Sequence, residues 1–147
     1  MATPSRSFDG RVAVISIAVQ KPWTPGVVDN WPMAKKRIPD EVGLAALQDL
    51  GNQEAMAERY LLQQLETEHP GGTVELRVPP YGAVQLIGGL NHRRGTPPNV
   101  VELGAEHFLA LALGDSTWEE LSESGKLLAS GTRAGELRNL FPLPGVR

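Results

Sequence analysis

The spacing of the hydrophobic residues changes at residues 69–72, and this change constrains the fold more than any other feature. Before it, apolar side chains such as Leu61 and Leu65 recur with the period of a helix, and Glu58 is placed off their stripe. The stretch His69-Pro70-Gly71-Gly72 then stops the helix. After it, residues 74–78 alternate between apolar and polar, which predicts a strand with one wet face. The chain therefore combines helices and strands.

The same patterns predict further elements on both sides of this change. An earlier helix is predicted from Asp40, which follows Pro39 and can cap it, to a break at residues 51–52. Three more strands are predicted beyond the first, over residues 81–87, 99–103 and 126–130.

Helical patterns return after the third predicted strand. Residues 105–113 form one predicted helix, which ends at Gly114. A second is opened by a capping box of Ser116 and Glu119, and a third is capped by Thr132. The order of elements predicts an α+β fold, a twisted and mainly antiparallel sheet with helices covering one face.

The first 39 residues differ from the rest of the chain. Prolines punctuate them and exclude one continuous helix, while the β-branched residues of the 12–17 stretch favour an extended segment. Trp23 and Trp31 suggest an arm that packs on something, because disordered segments are poor in such residues. We therefore predict an N-terminal arm over residues 1–39 and a domain over residues 40–147.

Composition excludes several classes of function. The 147 residues include no Cys, which rules out thiol catalysis, cysteine-ligated zinc and iron–sulfur clusters. The net charge of −3 argues against a nucleic-acid surface, since phosphate binding needs clustered Lys and Arg. The longest apolar run, residues 12–19, is too short to insert stably in a membrane, so we expect a cytoplasmic protein.

Few residues of this chain have the spacing of a catalytic or metal site. The three histidines, His69, His92 and His107, are too far apart in sequence for a helical zinc site, and serines lack the Gly-x-Ser-x-Gly setting of a nucleophile. An enzyme with His92 as general base needs a partner residue that the sequence does not reveal. We therefore predict that the protein is not an enzyme and has no metal and no cofactor.

Two polar groups of residues remain as candidates for binding. His92, Arg93 and Arg94 concentrate charge in one loop, which is either an anion site or a solvated connection with local ion pairs. Asn99 and Glu102 lie in a strand that otherwise reads as buried. They must either bond the backbone of neighbouring loops or meet Arg93 or Arg94.

Several of these stretches resemble a known family. Residues 74–85 and 92–102 resemble the bacterial, chiefly actinobacterial, sterol-carrier-protein-like family, and residues 108–114, 124–131 and 140–143 look like the wider sterol-carrier superfamily. The resemblance implies a sterol-carrier-like fold with an apolar tunnel between sheet and helices. Its members are regarded as binders of lipids or other hydrophobic ligands, and related domains occur as accessory modules of enzymes. The family's loop motif falls on His92, Arg93 and Arg94, and its polar strand motif on Asn99 and Glu102.

Two hypotheses of function follow. The first is carriage of a small hydrophobic ligand in a cavity lined by Val84, Leu86, Val101, Phe108, Leu111, Leu121, Leu137, Leu140 and Phe141. Against it stands the alternative that these side chains simply fill a core. The second hypothesis is a module that regulates or scaffolds an enzyme through residues 92–102 and the arm. A homodimer or a partner enzyme is compatible with either hypothesis.

Overall fold

A computed structural model describes residues 36–89 and 97–146. The predicted N-terminal arm and the loop with His92, Arg93 and Arg94 lie outside these residues. Helix α1 spans Asp40–Gln48, and helix α2 spans Leu50–Glu68. The expected cap at Asp40 is wrong: Pro39 holds the N-cap position without a side-chain cap, and Asp40 is the first helical residue.

The sheet has four strands in the order β2-β1-β3-β4. The strands are β1 (Pro70–Val78), β2 (Gly82–Leu86), β3 (Val100–Leu103) and β4 (Leu127–Ser130). The pairs β1–β2 and β3–β4 are antiparallel, whereas β1–β3 is parallel. The predicted α+β fold is confirmed, with an open mixed sheet.

Three short helical segments follow β3. They are α3 (Ala105–Leu113), α4 (Trp118–Glu123) and a 3₁₀ helix (Ala134–Leu140). The capping box of α4 consists of Thr117 and Glu120, one residue later than predicted. The last segment is a 3₁₀ helix, and Arg133 holds its N-cap position. The predicted cap at Thr132 is therefore wrong.

The alternation in β1 divides the sheet into two faces. Val74, Leu76 and Val78 are buried on the inner face, where helix α2 packs against β1 and β2. On the outer face Arg77 donates to the carboxylate of Glu75 and lies in register with Glu102. The core therefore lies on the helix side of the sheet, where a functional cavity would be expected.

Candidate functional site

The structure brings the nine predicted cavity residues into or against one hydrophobic cluster. Seven are buried within it: Val84, Leu86, Val101, Phe108, Leu111, Leu121 and Leu137. Leu140 and Phe141 are partly buried and pack against it. The rings of Phe108 and Phe141 meet edge to face, with their centroids 6.2 Å apart. The predicted residues thus share one interior, and Phe141 lies at its boundary.

An open pocket of about 260 Å³ lies between the end of α3, the start of α4 and the end of the 3₁₀ helix. We call it the α3–α4 pocket. Its apolar lining comes from Leu111, Trp118, Phe141 and Pro142. Leu111 and Phe141 are predicted cavity residues, whereas sequence reasoning did not assign Trp118 to the cavity. A Trp at the start of a helix, just after a glycine-terminated helix, was the available signal.

Backbone hydrogen bonds hold the three borders of the α3–α4 pocket in place. Gly114 ends α3 in the left-handed conformation, with φ of 81°, and the N–H of Asp115 donates to the carbonyl of Ala110 at 2.8 Å. The capping box of Thr117 fixes the start of α4. The N–H of Leu143 donates to the carbonyl of Ala112 at 2.9 Å, which ties the C-terminal segment to α3.

The mouth of the α3–α4 pocket is polar. Ser116, Thr117 and Asn139 line it, and Arg138 Nη2 lies 3.1 Å from Glu119 Oε1. More than half of each charged side chain is exposed, so this ion pair contributes little to stability, roughly 0–1 kcal/mol. The site therefore joins an apolar floor to a mouth that offers hydroxyl, amide and charged groups.

Glu58 is a buried acid that sequence reasoning placed on the wrong side of its helix. Its exposed fraction is 0%, and neither carboxyl oxygen has a hydrogen-bond partner among the residues that the structure describes. Burial, with a smaller contribution from the charge of Glu54, raises the pKa of Glu58 from 4.5 to about 8. The available signal was its spacing, because Glu58 lies three and four positions before the buried Leu61 and Leu62.

The two polar strand residues are separated rather than brought together. Asn99 is buried, and its side chain donates to the carbonyl of Thr73 and accepts from the N–H of Arg133, both at 2.9 Å. Glu102 is exposed on the outer face. Asn99 therefore forms hydrogen bonds with the backbone of two neighbouring segments. This was one of the two alternatives for Asn99, the other being a contact with Arg93 or Arg94.

The described part of the chain contains neither a cluster of metal ligands nor a membrane-spanning helix. Within residues 36–89 and 97–146, no group of three or more His, Asp or Glu side chains could hold a metal ion. His69 lies at the end of α2 near Glu68, and His107 lies 3.2 Å from a carboxyl oxygen of Glu106. Over the same residues, no helix has the length and apolar character to span a membrane.

Part of the chain matches a known protein family. The family described as "Bacterial SCP ortholog" matches residues 51–143, a range that includes the sheet, α3, α4 and the α3–α4 pocket. No curated protein matches the chain.

Proposed function

Because this chain belongs to the bacterial SCP ortholog family, the sterol-carrier-protein-like family of bacteria, we propose that it binds and carries a small hydrophobic ligand without catalysing a reaction on it. The observation that carries the proposal is the α3–α4 pocket, an opening whose apolar floor is continuous with the core. Ligand sites of proteins are usually concave and apolar, with a few placed polar groups.

The size of the pocket sets what can enter it. Its volume of about 260 Å³ lies just below the usual range for ligand pockets, roughly 300–1,000 Å³. A linear alkyl group or a single ring fits this space. A larger ligand requires Phe141 to turn away from Phe108, and Phe141 is only partly buried.

The buried acid supports carriage over catalysis. Among the described residues Glu58 has a strongly raised pKa, the kind of shift that general acids show. Glu58 is nevertheless not among the residues that line the α3–α4 pocket, so its carboxyl is not placed to act on a ligand bound there.

Binding of 1-decanol, a linear neutral amphiphile, measured by isothermal titration calorimetry, tests the proposal. We expect saturable binding and a higher melting temperature with decanol, because a ligand that binds only the folded state stabilises it. Trp118→Ala should weaken binding, whereas Leu128→Ala, an exposed position on the outer face, serves as the matched control. Nonspecific, unsaturable binding with no change in melting temperature would refute carriage.

A second candidate function is an interaction module that regulates or scaffolds an enzyme. The observation that favours it is the outer face of the sheet, where Leu128 is 64% exposed and lies in register with Glu102. A partner bound to this face would bury the side chain of Leu128. Pull-down with Arg93→Ala/Arg94→Ala and with Leu128→Ser tests both proposed surfaces, and unchanged recovery of the partner would count against them. Sedimentation of the wild type and Leu128→Ser tests a homodimer through this face.

A further inference from the structure

We infer that the mouth of the α3–α4 pocket selects amphiphiles with an uncharged polar end, such as a hydroxyl, over anionic ones. Glu119 sets this selectivity because its carboxylate pairs with the guanidinium of Arg138, the only cationic side chain among the described residues that line the pocket. The inference rests on the proposed function and assigns a ligand class to the same site.

The geometry of the ion pair carries the first step. Arg138 Nη2 and Glu119 Oε1 are 3.1 Å apart, and the two side chains reach the mouth from different elements. A guanidinium that faced the mouth alone would attract a carboxylate or phosphate. Here an internal carboxylate already holds that position, so an anionic ligand must displace it or share the guanidinium with it.

The charges next to this pair carry the second step. Residues 117–120, where α4 begins, include Glu119 and Glu120 but neither Lys nor Arg. Arg138 therefore faces a segment with a surplus of negative charge. Like charges repel over the distances of a pocket mouth, so this segment opposes the approach of a second anion.

An uncharged end meets no such obstacle. The hydroxyl of Ser116 and the amide of Asn139 line the mouth, and each can both donate and accept a hydrogen bond. A ligand hydroxyl can therefore be satisfied while the ion pair of Arg138 and Glu119 stays intact. The alkyl part of the same ligand would lie against Trp118 and Phe141.

The experiment compares the affinities of 1-decanol and decanoate by isothermal titration calorimetry at pH 7 and low salt. An apolar site favours decanol in any case, so the decisive measurement is the change caused by Glu119→Gln. This variant should tighten decanoate by up to about fivefold, the most that one exposed charge pair contributes, and leave decanol within about twofold. Glu123→Gln removes the same charge from the same helix outside the pocket lining and is the matched control.

Two further measurements test whether the gain for decanoate depends on Arg138 and on electrostatic attraction. The double variant Glu119→Gln/Arg138→Gln should lose the gain for decanoate, and 0.5 M NaCl should reduce it. An equal gain in Glu123→Gln, or a gain that survives without Arg138, would overturn the selectivity. If the wild type does not bind decanol, the proposed function itself fails. If it binds decanol but Glu119→Gln leaves decanoate unchanged, only the present inference fails.

Discussion

The buried carboxyl of Glu58 makes the stability of the domain depend on pH. In the folded state its pKa is about 8, against an ordinary value of 4.5 that we assign to the unfolded chain. Between these values the folded state holds a proton that the unfolded state releases. The free energy of unfolding therefore falls as pH rises through this window, by about 1.4 kcal/mol per pH unit.

The variant Glu58→Gln tests this reasoning, because the amide is nearly isosteric with the acid and does not ionise. We expect the free energy of unfolding of Glu58→Gln, measured with urea, to rise relative to the wild type by about 3 kcal/mol between pH 5 and pH 7. Below pH 4.5 the two proteins should show the same pH dependence, since Glu58 is protonated in both states of the wild type there.

A control on the same helix separates Glu58 from other titrating groups. Glu66 is exposed on α2, so Glu66→Gln changes the same kind of side chain without removing a buried acid. Its difference from the wild type should vary little over the same range. A difference between the wild type and Glu58→Gln that stays constant from pH 5 to pH 8 would refute the assignment of Glu58 as a buried neutral acid.

Three substitutions test other features of the fold by urea denaturation. Asn99→Ala should destabilise by roughly 2–4 kcal/mol, because it removes two hydrogen bonds of a buried side chain and leaves backbone groups unpaired; a loss below 0.5 kcal/mol would contradict this. Thr117→Ala should lower the free energy of unfolding by about 1 kcal/mol and Ser116→Ala by much less, because Thr117 provides the cap. The reverse order would instead support the capping box of Ser116 and Glu119 that the sequence predicts. Gly114→Ala should lower the free energy of unfolding by about 1 kcal/mol or more, because Gly114 has a positive φ. Gly135→Ala should be tolerated, because a Cβ there meets open space. Equal effects of the two substitutions would contradict the left-handed cap at Gly114.

Elements set by local patterns were predictable from the sequence. The alternation of Val74, Leu76 and Val78 identifies β1 because a strand turns successive side chains to opposite faces. Gly114 identifies the end of α3 for an equally local reason, the ease with which glycine adopts a positive φ. The family resemblance, which depends on the order of such motifs, was confirmed as well.

Features that depend on tertiary contacts were not predictable in the same way. The sequence pattern places Glu58 off the apolar stripe of its helix, where charged side chains normally lie, and its burial follows from what packs around α2. The choice between Ser116 and Thr117 as cap depends on where the chain leaves the turn after α3. The parallel pairing of β1 with β3 joins strands far apart in sequence, and no local pattern specifies it.

The position of the α3–α4 pocket follows from the unequal lengths of the helical elements. Helix α2 has 19 residues and packs against both β1 and β2. Strand β4 is instead contacted by α4 and the 3₁₀ helix, which have 6 and 7 residues. Short elements must turn often, and each turn exposes polar backbone and side chains beside the core. A ligand site with an apolar floor and a polar mouth is therefore expected where these short elements meet, and that is where Leu111, Phe141 and Arg138 converge.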